Sequence, residues 1–145
     1  KYAFGKVLGK EAFVINGDSF FDVDTHSLLK FHKTKQADIS VALKPMTDFD
    51  RYGSVTSNSQ QRITSFNEKQ YCQEGFINGG IYIVNTELFQ KIDLPEKFSF
   101  EKDIMESYIN KLNIYGLEQN NYFIDIGIPS DFEKANKDFA INIFF

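Results

Sequence analysis

Ala12-Phe13-Val14-Ile15-Asn16-Gly17-Asp18 is the stretch on which the fold turns. A short apolar run closed by Asn-Gly reads as a buried strand ending in a turn. A strand that delivers a carboxylate at its C-terminal end puts that charge where open α/β sheets bind ligands. A second segment repeats the arrangement: Tyr122-Phe123-Ile124, then Asp125-Ile126-Gly127-Ile128-Pro129. Two carboxylates brought within about 4 Å repel by roughly 4 kcal/mol at an effective dielectric near 20. A divalent cation between them removes that cost, and Mg²⁺ is usually held by one or two carboxylates plus substrate phosphates. Asp18 and Asp125 are therefore the candidate metal ligands.

Outward from the first strand, Thr25 or Ser27 is placed to cap a helix carrying Leu28, Leu29, Phe31 and His32. Ile39-Ser40-Val41-Ala42-Leu43 reads as a strand that stops at Pro45. Tyr52 to Thr56 and Arg62 to Phe66 flank the polar turn Ser57-Asn58-Ser59-Gln60 and read as a hairpin. Phe76 to Val84 is a long apolar strand interrupted by Gly79 and Gly80, which mark a bulge or a close backbone approach. Thr86 begins a short helix through Phe89 and Ile92. Ser99 caps another, with Glu101, Asp103 and Glu106 near its start. Ile114 to Leu117 and Tyr122 to Ile126 are late strands, and Pro129 opens a last helix bearing Phe132, Ala135 and Phe139. Residues 2–8 read as the second half of an amphipathic helix. The expected architecture is α/β: a mixed, mostly parallel sheet flanked by helices, in a single domain over residues 1–145.

The chain has 145 residues and a net charge of -4, which argues against a nucleic-acid partner. It leaves small phosphorylated ligands open, since these need only one or two cations. No apolar stretch approaches the ~20 residues of a membrane span, so no membrane is expected and the cytoplasm is the default location. The single cysteine, Cys72, sits in a polar stretch with no histidine nearby, which disfavours a catalytic thiolate. His26 and His32 are too few and too isolated for a metal cluster.

Each remaining candidate has a plain alternative. Asp18 follows Gly17, whose lack of a side chain leaves room for a ligand; otherwise it is a turn aspartate. Asp125 lies in an apolar run, where an unpaired carboxylate is costly and calls for a partner, a metal or a proton. Glu68-Lys69 follows a strand, and a lysine offers phosphate a point charge; the alternative is an exposed hairpin end. Arg51-Tyr52-Gly53 opens a strand, where the arginine meets phosphate or solvent. Asn78-Gly79-Gly80 offers hydrogen bonds to a hydroxylated ligand, or is a bulge. Asp22-Val23-Asp24 has the Asp-x-Asp form of glycosyltransferase metal motifs, but it also precedes a helix start, where acids are favoured anyway.

Taken together, five segments resemble the sugar-1-phosphate nucleotidyltransferases. They are Val14-Ile15-Asn16-Gly17-Asp18, Arg51-Tyr52-Gly53, Phe66-Asn67-Glu68-Lys69, Asn78-Gly79-Gly80-Ile81-Tyr82 and Phe123-Ile124-Asp125-Ile126-Gly127-Ile128-Pro129. Asn16-Gly17-Asp18-Ser19-Phe20-Phe21-Asp22, Ala42-Leu43-Lys44-Pro45-Met46, Asp48-Phe49-Asp50-Arg51-Tyr52-Gly53 and Lys97-Phe98-Ser99-Phe100-Glu101-Lys102 are similar to the heptose 1-phosphate guanylyltransferase branch. The resemblance implies a Rossmann-like fold related to that of the GT-A glycosyltransferases. It implies attack of a sugar 1-phosphate oxygen on the α-phosphorus of a nucleoside triphosphate, GTP for this branch, with loss of pyrophosphate. The product is a nucleotide sugar for surface polysaccharide.

By the same resemblance, Asp18 and Asp125 hold Mg²⁺, Lys69 meets the sugar phosphate, and Glu68 accepts from sugar hydroxyls. Gly53, Asn78 and Gly79 shape the sugar pocket, Gly17 and Arg51 line it, and Glu101 orients sugar or metal-bound water. Asp18, Asp125 and Lys69 form the catalytic set. The family's glycine-rich triphosphate loop has no counterpart in this chain. The resemblance thus implies the C-terminal, sugar-phosphate-binding portion of an N-terminally incomplete domain. Alone, such a portion is expected to be inactive, or to need a second copy or the missing half. Two rival readings are a glycosyltransferase using Asp22 and Asp24, and a non-catalytic sugar-phosphate-binding module.

Overall fold

The computed structural model describes residues 3–140. Its organising element is one long strand. In chain order the strands are β1 (Glu11–Ile15), β2 (Ser19–Phe21), β3 (Ile39–Phe49), β4 (Gly53–Ser57), β5 (Ile63–Lys69), β6 (Cys72–Asn85), β7 (Ile114–Glu118) and β8 (Phe123–Asp125). The α-helices are α1 (Thr25–Lys35), α2 (Leu88–Lys91) and α3 (Pro129–Ala140). A π-helical segment spans Phe100–Glu106.

Strand β6 is the spine. Along one edge it pairs with β3 from Val84 back to Cys72. Its other edge is shared: β1 takes Ile81 to Asn85, and β4 takes Phe76 and Ile77. Between those two partners lie Asn78, Gly79 and Gly80, and the candidate site forms at this gap. Strand β5 extends the sheet beyond β4, and β7 closes the far side beside β3.

Alternation along β6 sorts its side chains onto two faces. Tyr82 and Val84 join a core with Val41, Leu43, Leu88, Ile104 and Met105. Ile81 and Ile83 face the other way, onto Phe21, Leu28 and Ala42. Burying each such aliphatic side chain stabilises by roughly 1.5–3 kcal/mol. Helix α1 covers one face, and α2 with the π-helical segment covers the other, which is the expected mixed sheet flanked by helices.

The mostly parallel character is corrected. Among the described residues only β3 and β7 run parallel, and every other strand pairing is antiparallel. The physical reason is β6, which runs against all three of its neighbours. Strand β1 is also less buried than its sequence suggests. It has a single partner, so Phe13 and Ile15 on one face remain 42% and 61% exposed.

Other differences are local. Strand β3 continues through Pro45 to Phe49. Its pairing with β7 ends at Leu43, and a proline is tolerated where one edge of a strand is open. The expected N-terminal helix is a 3₁₀ turn, Ala3–Lys6, and Tyr2 lies outside the described residues. The short helix expected from Thr86 begins at Leu88. The cap of α1 is Asp24 rather than Thr25 or Ser27: its carboxylate accepts from the backbone N–H groups of His26 and Ser27, both at 3.0 Å. The hairpin β4–β5 and the Ser99 cap stand as expected. Ser99 Oγ accepts from Lys102 N at 3.2 Å, while Asp103 accepts from Ser99 N at 2.6 Å, a reciprocal capping arrangement.

Candidate functional site

Two short ladders bring the separate segments together. The loop after β1 is stitched to the spine, since Asn16 N donates to Gly80 O at 2.8 Å. It is stitched again to the end of β8, since Ile126 N donates to Asp18 O at 2.9 Å. The antiparallel β2–β8 ribbon sets Ser19 opposite Asp125. Asp18 and Asp125, 107 positions apart in the sequence, therefore stand on adjacent strand ends.

They face a cleft of about 370 Å³ floored by β6 and walled by the β4–β5 hairpin. Its polar lining includes Asn16, Asp18, Asn67, Lys69, Asn78, Glu101, Glu106 and Asp125. Four carboxylates thus meet one lysine. Such a lining repels a phosphorylated ligand unless a cation enters with it. This charge imbalance fits the entry of a hard cation such as Mg²⁺, and Asp18 and Asp125 are the carboxylates at adjacent strand ends that could hold it. Asp125 Oδ1 accepts from Gly127 N at 2.7 Å. The Asp18 carboxylate has no hydrogen-bond partner among the described residues. Both keep lone pairs for a hard cation, and no group of three or more His, Cys, Asp or Glu forms a ready cage among the described residues. A site of this kind would rely on ligand phosphates to complete the coordination, as Mg²⁺ sites usually do.

At the other end, side chains tie one another down. Asn78 Nδ2 donates to Tyr82 OH at 2.7 Å and to Glu101 Oε1 at 2.9 Å. Tyr82 OH donates to Glu101 Oε1 at 3.1 Å. Gly80 N donates to Asn78 Oδ1 at 3.1 Å. Burial, and then the neighbouring Glu101 charge, push the Tyr82 phenol far above its ordinary range, so it stays a donor at every working pH.

The glycines divide by role. Gly80 has a left-handed φ of +74° and lies against Asn16 and Ser19, which shapes the cleft wall. A Cβ on Gly53 would sit 2.4 Å from Asn67 O, so Gly53 permits the close β4–β5 crossing beside the cleft. Gly79 is turned away from the cleft: its open side is filled by the Phe21 ring and Ala42 O.

Of the residues expected at the site, Asp18, Gly53, Lys69, Asn78, Glu101 and Asp125 line this cleft. Gly17 borders the adjoining hollow with Asn16 and Glu101. Arg51 lies in a neighbouring depression with Tyr52, Lys69 and Asp125. Its guanidinium donates to Asp131 at 2.7 Å, a bond that raises its pKa. Glu68 and Gly79 are not brought to the cleft. Glu68 falls between Asn67 and Lys69 on a strand, where neighbours face opposite sides. Asp22 and Asp24 are also absent from the lining, and the Asp24 carboxylate is committed to the cap of α1.

Sequence reasoning missed Asn67, Tyr82 and Glu106 as lining or supporting groups. The even spacing of Asn78 and Tyr82 was a usable signal, because residues four apart on a strand share a face.

A nucleotidyl transferase family model matches residues 2–141. The D-glycero-alpha-D-manno-heptose 1-phosphate guanylyltransferase of Aneurinibacillus thermoaerophilus is 45% identical over 138 residues, which is 95% of this chain and 60% of that protein. The protein of the same name from Campylobacter jejuni is 46% identical over 127 residues, 88% of this chain and 55% of that protein. Among solved structures, HddC from Yersinia pseudotuberculosis complexed with GMP-PN superposes with a TM-score of 0.81 at 30% identity. That match covers 95% of this chain and 59% of HddC. The chain thus spans about three-fifths of the length of these three relatives.

Proposed function

This chain belongs to the nucleotidyl transferase family, and on that premise we propose that it serves the transfer of GMP from GTP to a heptose 1-phosphate. Pyrophosphate is released, and the product is a nucleotide sugar for surface polysaccharide, made in the cytoplasm. Residues 1–145 act as one unit, the sugar-phosphate side of the enzyme. The observation that carries this reading is the cleft in which four carboxylates face one lysine, with Asp18 and Asp125 set side by side by the β2–β8 ribbon. The identity to two heptose 1-phosphate guanylyltransferases supports the choice of base and sugar. No helix among the described residues is long and apolar enough to cross a membrane, which is compatible with that location.

In this reading the protein aligns charges rather than forming a covalent intermediate. Asp18 and Asp125 would hold Mg²⁺, which when bound neutralises phosphate charge and draws the two phosphates together. Lys69 meets the phosphate of the sugar. Glu101 and Asn78 accept hydrogen bonds from hydroxyls of the sugar ring. Asn67 takes the place on the cleft wall that Glu68 was expected to fill. Alignment of two reactants, plus fixed charges aimed at the transferring phosphoryl group, supplies most of the rate in such reactions.

The test is pyrophosphate release with Mg²⁺, GTP and D-glycero-α-D-manno-heptose 1-phosphate. It is run on this chain alone and on the chain extended upstream by whatever residues its gene encodes there. Release by the extended protein, abolished in Asp125→Asn, is the expected result. Release by neither protein overturns the reading. Turnover by this chain alone would show that no further segment or partner is needed.

A further inference from the structure

The hydrogen-bond inventory of the Asn78–Tyr82–Glu101 corner is nearly spent, and what remains has one sign. Gly80 N–H can only donate, so the Asn78 atom facing it is the amide oxygen. The Asn78 NH₂ therefore points at Tyr82 and Glu101, and both of its hydrogens are used. The single hydrogen of Tyr82 is used on Glu101. Among the described residues no hydrogen bond reaches Glu101 Oε2 or the second lone pair of Asn78 Oδ1, and both residues line the cleft. No donor is left on any of the three side chains.

We propose that Tyr82 is a positioning residue that makes this corner an acceptor-only reader of ligand hydroxyls. Together with the Gly80 N–H it holds the Asn78 amide, and it fixes the Glu101 carboxylate, so that two acceptor sites face the cleft together. The inference rests on the sugar-phosphate reading above and adds to it a direction. A phosphate brings no hydrogen to this corner and is repelled by Glu101. The phosphate of the ligand is therefore driven toward Lys69, and a pair of ring hydroxyls toward Glu101 and Asn78. A ligand lacking one of those hydroxyls leaves a fixed acceptor unpaired, which costs roughly tenfold in affinity.

The experiment is calorimetric titration of this chain, with Mg²⁺ present, against α-D-mannose 1-phosphate, its 2-, 3- and 4-deoxy analogues, and inorganic phosphate. At least one deoxy analogue is expected to bind roughly tenfold more weakly than the parent. In Tyr82→Phe, which keeps the buried ring, the parent weakens while that analogue does not, and inorganic phosphate binds as before. The side-chain NH₂ protons of Asn78, slow to exchange in the wild type by NMR, exchange faster in Tyr82→Phe. Should Tyr82→Phe fail to fold, Glu101→Gln decides, because its NH₂ places a donor in the corner and must likewise shrink the discrimination. A folded Tyr82→Phe with unchanged discrimination overturns the role of Tyr82. Equal binding of all four sugar phosphates by the wild type overturns the acceptor-only corner but leaves the sugar-phosphate reading standing. Failure of both mannose 1-phosphate and inorganic phosphate to bind overturns that reading, and this proposal with it.

Discussion

Glu101 and Asp125 are carboxylates on the rim of one cleft, and the chain holds them in opposite ways. One oxygen of Glu101 takes hydrogen bonds from two side chains, each locked by a further contact. Asp125 receives one backbone N–H, and Asp18 beside it has no side-chain hydrogen bond among the described residues. The aspartates are placed by backbone ladders instead, through the β2–β8 ribbon and the Ile126–Asp18 bond. The difference suits two kinds of ligand contact. A hydroxyl reader gains from rigid acceptors, because a fixed geometry discriminates. A cation site gains from oxygens with open lone pairs on a fixed backbone, because the ion and its phosphates supply the rest of the shell.

Substituting the aspartates is expected to have the largest effect and would break this comparison most directly. On the function proposed above, and in the chain extended upstream as described there, Asp18→Asn or Asp125→Asn should lower the rate of pyrophosphate release roughly 100-fold or more, the scale of losing one preorganised charge contact. The ligand-free chain should lose no stability, because each change removes one of the four carboxylates that line the cleft against a single lysine. A thermal melt that falls along with the rate would instead mark these aspartates as structural. Next in size comes Gly79→Ala, at the rigid end. Its Cβ would meet Phe21 at 2.4 Å and Ala42 O at 2.8 Å, so overpacking should cost about 1–3 kcal/mol in urea unfolding. Gly17→Ala, at the open end, meets nothing within 4 Å and should fold as well as the wild type. Equal losses at the two glycines would dissolve the contrast.

Much of this is legible in the sequence. The strand ends at Asp18 and Asp125 could be read because an apolar run followed by a glycine-bearing turn is a local pattern. The hairpin at Asn58 was equally local, since the Asn58 side chain accepts from the backbone of Gln60 and Arg62, both at 3.0 Å. What escaped was set by pairing. Strand β6 opposes its three neighbours, and no periodicity within one segment records the direction of another. Pro45 reads as a stop until it is known that β7 has already ended beside it. Glu68 and Lys69 are adjacent in sequence and look like one motif, yet the pleat sends them to opposite faces. Asp24 looks like half of a metal motif, and the start of α1 claims it.

A smaller effect belongs to Lys69, the only cation among the described residues that line the cleft. Lys69→Ala should weaken sugar-phosphate binding roughly tenfold, the low end for one charge-assisted contact, without lowering the melting temperature. Because Lys69 is exposed, raising the salt should narrow the gap between variant and wild type. Arg51 beside it is held by Asp131 and should not compensate. A loss that ignores salt would place Lys69 among the rigid contacts rather than the open ones.

The smallest effect sets the cleft apart from the body beneath it. His32 is buried under the sheet, and its Nδ1 lies 2.9 Å from Ser40 Oγ. Burial lowers its pKa from the ordinary 6.5; Lys33 pulls the same way, against Glu11 and Asp38. The folded chain therefore takes up this proton less readily than the unfolded chain. The stability it contributes is complete above pH 6.5 and is lost as the pH falls below that value. Melting temperatures recorded between pH 7.5 and 5 should fall on the acid side in the wild type and fall less in His32→Gln. Ligand affinity over the same range should be alike in the two proteins, since His32 does not line the cleft. An affinity change that followed His32 would mean that the body and the cleft titrate as one, and that the two ends of the cleft cannot be varied independently of what supports them.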